Sequence, residues 1–218
     1  MNLNKLVRFA TMFYSLAAGE ELPANSDDLK TVLSNLEQLE TYAARKKYAE
    51  QNLKHLSSGS SRIVYLTPGK TVIKLAKNDR GLAQNKAEAN PQMKSKYLNK
   101  IISHAKNYAW LETHFLEKIT EKEFEEMTGL KFKDFDEAIS YGLKNVSENT
   151  DTKKPENFDK VSKSDIYKEI KDVGEKFKLM PGDVGRISSW GSKDGKPVLI
   201  DAGLTADVYA DYYEDSTT

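Results

Sequence analysis

LSSGSSRIVYLTPGKTVIKLA, residues 56 to 76, is the stretch on which the reading of the whole chain turns. Small residues occupy Ser57, Ser58, Gly59, Ser60 and Ser61. Ile63 and Val64 open an apolar strand, Pro68-Gly69 reverses the chain, and Thr71 to Leu75 is β-branched and apolar except for Lys74. The pattern predicts two short strands around a turn, preceded by a small-residue loop. Without bulk at 57 to 61, backbone N–H groups can approach a polyanion, and Ile63 and Val64 can roof a base. Lys74, carried on a rigid strand, would aim its ammonium at phosphate oxygens. The same residues also permit a plain solvated loop and an edge-strand lysine, so the hairpin alone leaves both readings open.

A second segment, MPGDVGRISSWGSKDGKPVLIDAGLTADVY at 180 to 209, adds the acids that such a site needs. Lys193-Asp194-Gly195-Lys196 is a turn signal, and the apolar run Pro197 to Ile200 leads straight into Asp201-Ala202-Gly203. A carboxylate at the end of a buried strand, followed by small residues, is placed to hold a hard cation such as Mg²⁺. Asp183, in a Pro-Gly-Asp turn upstream, is a second acid on the same side. One acid could hold the metal while the other orients a hydroxyl nucleophile.

Taken together, these segments resemble a small, divergent member of the protein-kinase-like fold found in protein kinases and aminoglycoside phosphotransferases. That family covers the phosphates with a glycine-rich loop, pairs a strand lysine with a helix glutamate, serves the acceptor with a catalytic-loop aspartate and binds metal with a DFG-type aspartate. Gly59 with Ser60 and Ser61 resembles the loop, Val72-Ile73-Lys74 the lysine strand, Asp183 the catalytic-loop acid and Asp201-Ala202-Gly203 the metal motif. With Ser188-Ser189-Trp190-Gly191 and Asp201 to Thr205, the run is also similar to short kinase-like proteins of tailed bacteriophages. The resemblance spans roughly residues 50 to 213. It implies Mg²⁺ and ATP as cofactors, Val64 in the roof over the base, Lys74 on phosphate and Glu88 as its ion-pair partner. It further implies Asp183 on the acceptor and Asp201 on the metal.

The departures are specific. A single glycine, Gly59, stands where the family loop has three, and Pro181-Gly182-Asp183 replaces His-Arg-Asp. Ser188 stands five beyond Asp183, where the family has its second metal-binding asparagine. A hydroxyl is a weaker Mg²⁺ ligand than an amide carbonyl. The sequence also ends soon after Asp201, which leaves little length for an activation segment or for helices that bind a protein substrate. Two functions of different class follow. One is a nucleotide-binding, Mg-ATP-dependent phosphotransferase, with nucleotidyl transfer from the same cleft as its variant. The other is an inactive kinase-like phage protein, a virion component or a scaffold that binds a host factor.

Asn78-Asp79-Arg80-Gly81 breaks the lysine strand, and Leu82 to Ala89 predicts a short helix ending before Pro91, with Glu88 near its end. Gln84 and Asn85 on that helix are candidates to bind the loop or the N-terminal helices. Tyr108, Trp110 and Leu111 with Phe115 and Leu116 predict a strand running into a connection, the hinge in the resemblance, although Trp110 equally suits a core. Thr120 to Glu123 spells a capping box and places the boundary between lobes near 119. Leu3 to Leu16 and, after Ser26 or Asp27, Leu29 to Tyr42 carry apolar residues at helical spacing. Residues 147 to 164 are polar and predict a loop, and the acidic end after Asp211 a solvated tail. The expected organisation is a helical extension over 1–52, a kinase-like first lobe over 53–119 and a reduced second lobe over 120–218. The fold class is α+β, with a small antiparallel sheet in the first lobe and a mostly helical second lobe behind an N-terminal helical pair.

Composition narrows the partners. Lys+Arg and Asp+Glu number 33 each in 218 residues, so no global field directs the chain to nucleic acid or to an anionic membrane. No apolar run reaches membrane-spanning length, and no secretory pattern opens the sequence. Cysteine is absent, which removes thiol chemistry and suits a host cytoplasm or a virion. The three histidines are scattered and have no zinc spacing.

Overall fold

The computed structural model describes residues 28–146 and 153–213. The helix expected over Leu3 to Leu16, most of the tail after Asp211 and residues 147 to 152 of the expected loop lie outside them. The chain opens with α1 (Leu29–Gln38) and α2 (Tyr42–Asn52). Asp28 caps α1 through the Lys30 and Thr31 N–H groups. Leu29 to Tyr42 was expected to form one helix face. Instead Leu39 turns extended, and the Thr41 hydroxyl accepts from Ala44 N–H to start α2. An N-cap threonine inside a periodic run thus outweighs the apolar spacing.

A five-stranded antiparallel sheet follows, in the order β1-β2-β3-β5-β4. Its strands are β1 (Lys54–Ser58), β2 (Arg62–Leu66), β3 (Thr71–Ala76), β4 (Ile101–His104) and β5 (Trp110–His114). Between β3 and β4 lies α3 (Asp79–Glu88). The expected hairpin is β2–β3, closed at Pro68-Gly69 by bonds between Thr67 and Thr71. Ser57 and Ser58, expected in the loop, belong to β1, so the loop shrinks to 59–61. Alternate strand residues share a face. Ile63, Tyr65, Ile73 and Leu75 therefore turn one way and are buried in a core with Val32 and Leu36 of α1 and Ala49 of α2. Val64 and Lys74, directly opposite each other, turn the other way, and Arg62 and Val72 share their face.

The second lobe is mostly helical. A small sheet of β6 (Glu117–Lys118), β7 (Trp190–Lys193) and β8 (Lys196–Leu199) adjoins α4 (Glu121–Thr128), α5 (Phe132–Gly142), α6 (Phe158–Val161), α7 (Asp165–Phe177), α8 (Pro181–Val184), a 3₁₀ turn at Ile187–Ser189 and α9 (Ala206–Tyr212). The predicted capping box is present on α4. Asp194 and Gly195 both take positive φ, as a tight two-residue β7–β8 turn requires. Pro197 sits on the sheet-edge strand β8, where its missing N–H does least harm. Trp190 is fully buried against Phe124 and Phe135 and donates its indole N–H to Val184 O at 2.8 Å, which joins β7 to α8. Part of the expected 147–164 loop is helical. In α6, Val161 is buried and Phe158 packs edge-on against Tyr141 and Tyr167. The α+β architecture implied by the resemblance, a sheet lobe and a helical lobe behind N-terminal helices, is what the chain forms.

Candidate functional site

Sequence fixes α3 by its cap: Asn78 Oδ1 accepts from Gly81 N–H at 3.1 Å and starts the helix three residues earlier than its apolar pattern suggests. From there Gly81, Gln84, Asn85 and Glu88 fall at i, i+3, i+4 and i+7 and are the buried face. A helix that buries glutamine, asparagine and glutamate must satisfy each of them. Asn85 donates to Lys74 O and Tyr108 O, at 3.2 and 2.9 Å. Gln84 accepts from the Ser61 hydroxyl at 2.8 Å and donates to the Tyr213 hydroxyl at 2.9 Å. Glu88 accepts from Lys74 Nζ through one oxygen at 2.5 Å and from Arg62 Nη1 through the other at 2.7 Å.

Lys74 also donates to Ile200 O at 2.6 Å, and its Nζ lies 4.0 Å from Asp201 Oδ1. Arg62 completes the cluster. Its guanidinium is 6% exposed and bonds Asn85 Oδ1, Glu88 and, through Nη2, Asp201 Oδ1. Burial alone would lower the Arg62 pKa, but the charges of Asp201 and Glu88 override it and hold the group firmly cationic. Burial alone would raise Asp201, yet Arg62 and then Lys74 pull its pKa well below the carboxylate range. Water still reaches 44% of the Asp201 side chain and screens part of that attraction.

A cleft of about 280 Å³ opens in front of this cluster. Leu56, Val64 and Val72 line it from the sheet, and Lys74 and Asp201 from the charged cluster. Thr113, His114 and Lys118 come from β5 and its continuation, and Ser188, Ser189 and Ile200 from the second lobe. A shift in the β1–β2 register between His55 and Ser57 accompanies the placement of Leu56 and Ser57 in the wall. Asn99 lines the wall and donates to His114 O at 2.8 Å. Burial, followed by the charges of Lys193 and Lys100, pushes the His114 pKa below its ordinary value.

Of the residues singled out in the sequence, Val64, Lys74, Asp201 and Ser188 line the cleft, and Glu88 stands behind Lys74. Gly59, Ser60 and Ser61 are not among the lining residues. Gly59 N–H is spent on Arg62 O at 2.8 Å, the Ser61 hydroxyl on Gln84, and Ser60 O accepts from Asn78 at 3.4 Å. Asp183, in α8 rather than a turn, pairs with Arg186 at 3.2 Å outside the cleft wall. Burial and then the charge of Asp201 raise its pKa. Sequence reasoning missed Arg62. Its signal was its position two residues before Val64, which puts it on the Lys74 face once the hairpin register is set.

No protein-family model matches the chain, and no curated protein matches it. Among solved structures, the streptomycin–ATP complex of APH(2″)-IIa aligns with 76% of this chain and 73% of that one, at 16% identity and a TM-score of 0.35. ADP-bound aminoglycoside phosphotransferase APH(2″)-Ib aligns over 75% and 72%, at 15% identity and 0.35. The gentamicin complex of APH(2″)-IIa aligns over 78% and 73%, at 14% identity and 0.36. Overlays this loose carry no weight for the site, which rests on the contacts within the chain itself.

Proposed function

We propose that this chain is a kinase-like nucleotide-binding protein whose cleft takes ATP, the base lying under Leu56, Val64 and Val72 and the phosphates reaching Lys74. The observation that carries the reading is the buried Lys74–Glu88 pair, 2.5 Å apart, at the back of a cleft roofed by apolar side chains. An ammonium has three N–H donors. Lys74 gives one to Glu88 and one to Ile200 O, which leaves one for a phosphate oxygen on the open side. The apolar roof and the few fixed polar groups are the composition of a small-ligand site. The division into an extension over 1–52, a first lobe over 53–119 and a second over 120–218 belongs to the same reading.

The Mg²⁺ implied by the resemblance would share Asp201 with the Arg62 guanidinium, which already holds one of its oxygens. Mg²⁺ needs near-octahedral oxygen ligation. Here Asp201 Oδ1 accepts from the Arg62 guanidinium and from Gly203 N–H at 3.4 Å, and both Glu88 oxygens are engaged. Among the described residues no group of three or more His, Cys, Asp or Glu is arranged to hold a metal ion. Phosphoryl transfer, with Asp183 orienting an acceptor hydroxyl, is the active form of this reading. The seating of Arg62 on Asp201 favours a second form, a kinase-like shell without catalysis that serves a tailed phage as a virion component or binds a host factor. Among the described residues no helix is long and apolar enough to cross a membrane.

Thermal unfolding with ATP tests the nucleotide reading. A ligand that binds only the folded state adds about 2.7 kcal/mol of stability at a hundredfold excess over its Kd. The wild type should gain several degrees in Tm, and Lys74→Met should lose that gain while remaining folded. A wild type whose Tm ignores ATP overturns the reading.

A further inference from the structure

Arg62 is the charged group that the kinase-like reading leaves unused, and it is buried with Lys74 and Glu88. We propose that its guanidinium, seated behind the cleft wall on Asp201 Oδ1, is the built-in counter-charge of that carboxylate, so that the nucleotide binds with no metal on Asp201. The inference rests on the nucleotide reading of the same cleft and specifies how the charge of Asp201 is balanced there.

Three independent observations support it. The first is that Arg62 is anchored rather than draped: β2 delivers it to the Lys74 face, and Asn85 and Glu88 fix it from α3. The second is that the aspartate motif is shaped around it. A Cβ at Gly203 would stand 3.2 Å from Arg62 Nη1 and 2.8 Å from Gln84 O, so a larger residue there would crowd the guanidinium and its helix. The third is charge: Arg62 and Lys74 oppose Glu88 and Asp201, a balanced set of two cations and two anions. A dication added to Asp201 would face the guanidinium directly. Arginine does not deprotonate in proteins, so the ion pair cannot be relieved by losing a proton. Three of its five N–H donors go to Asn85, Glu88 and Asp201, and Arg62 lies buried behind the cleft wall, so it acts on a ligand through Asp201 rather than by touching it.

Calorimetric titration of the full chain with ATP, once in EDTA and once in millimolar Mg²⁺, tests this. The wild type should bind with a Kd that agrees within about twofold between the two buffers. Arg62→Met, which leaves Asp201 without its hydrogen-bonded cation and opposed by Lys74 and Lys118 alone, should bind at least about tenfold more weakly in EDTA than in Mg²⁺. A Mn²⁺ titration followed by electron paramagnetic resonance should find no bound ion at the wild-type cleft and one in Arg62→Met. Should that variant fail to fold, the two wild-type titrations and the wild-type Mn²⁺ spectrum decide. ATP binding by the wild type that requires Mg²⁺, or a Mn²⁺ ion bound at Asp201, overturns the role of Arg62 and leaves the nucleotide reading standing. Absence of ATP binding in both buffers overturns the nucleotide reading, and this inference with it.

Discussion

Glu88 accepts from two cations at once, Lys74 on one oxygen and Arg62 on the other, and this sharing sets the electrostatics of the cleft. Removing either cation leaves Glu88 paired with the other, whereas removing Glu88 would leave two buried cations without their shared anion, where an unpaired ion costs far more than the net worth of the pair. Asp201 couples the cluster to pH. Arg62 and Lys74 hold its pKa in the fold below that of the unfolded chain, so its ionised form stabilises the fold above the ordinary carboxylate range. That contribution is lost as pH falls, because the unfolded chain takes up the proton first. Asp183 works in the opposite sense. Its raised pKa favours the fold at acid pH, and the benefit fades as pH rises through that value. Urea midpoints of the wild type should therefore decline below about pH 4, whereas Asp201→Asn should be less stable at pH 7 and show a flatter acid limb. Parallel acid limbs in the two proteins would speak against the Arg62–Asp201 pair. Lys74 and Asp201 were legible as a charge within an apolar strand and an acid at a strand end before a glycine, and Glu88 only through the family resemblance. Arg62 was not, because a basic residue at the mouth of a hairpin has no local pattern. Only the register of β2 against β3 reveals which way it faces.

Helix α3 is the element that assembles these charges, and besides Leu82, which packs on the first core, its docking depends on close approaches at glycines. A Cβ at Gly81 would fall 2.2 Å from Ser61 O, and one at Gly203 would meet Gln84 O at 2.8 Å, so backbone approaches α3 closely on two sides. Neither glycine has a positive φ, so packing alone forbids a side chain there. Gly59 differs, since its nearest contact would be Arg62 O at an ordinary 3.7 Å. Chemical denaturation should accordingly show Gly203→Ala destabilised by about 1–3 kcal/mol, as overpacking typically costs. Gly59→Ala should stay within about 0.5 kcal/mol of the wild type. Equal losses at the two positions would contradict this account of the helix. The existence of α3 was legible from its flanking break and Pro91, and its start was not, because Asn78 reads equally as a turn residue until its side chain is seen capping Gly81. The single helix read from Leu29 to Tyr42 failed for the same reason at Thr41, where a cap overrode apolar spacing. In the polar run after residue 146, Phe158 and Val161 were too few apolar residues to announce α6, which forms because tertiary packing receives them.

At the scale of the whole molecule, the described residues build two separate apolar cores. One joins the first sheet to α1 and α2, and the other gathers the second-lobe helices around Phe124, Phe135 and Trp190. The helices α1 and α2 cover the face of the sheet that points away from the cleft, so the first lobe is stiffened from behind while its charged face stays open. Polar links between the lobes include Lys74 to Ile200 O, Arg62 to Asp201, Gln84 to the Tyr213 hydroxyl, Asn99 N–H to Leu199 O at 2.9 Å, Leu199 N–H to Tyr97 O at 2.8 Å, and the Ser95 and Tyr97 hydroxyls to Glu169 and Asp165. Most of the cleft's polar groups belong to those links or flank them, so a ligand there would tie the lobes together and slow local opening of the backbone around it. Amide hydrogen exchange of the full chain, with and without saturating ATP, tests the central claim most directly. The account predicts slowed exchange in peptides covering 56–58, 113–118, 188–189 and 200–201, with little change in α5 and α7. Exchange that ATP leaves unaltered across those segments, or slows only elsewhere, would contradict it.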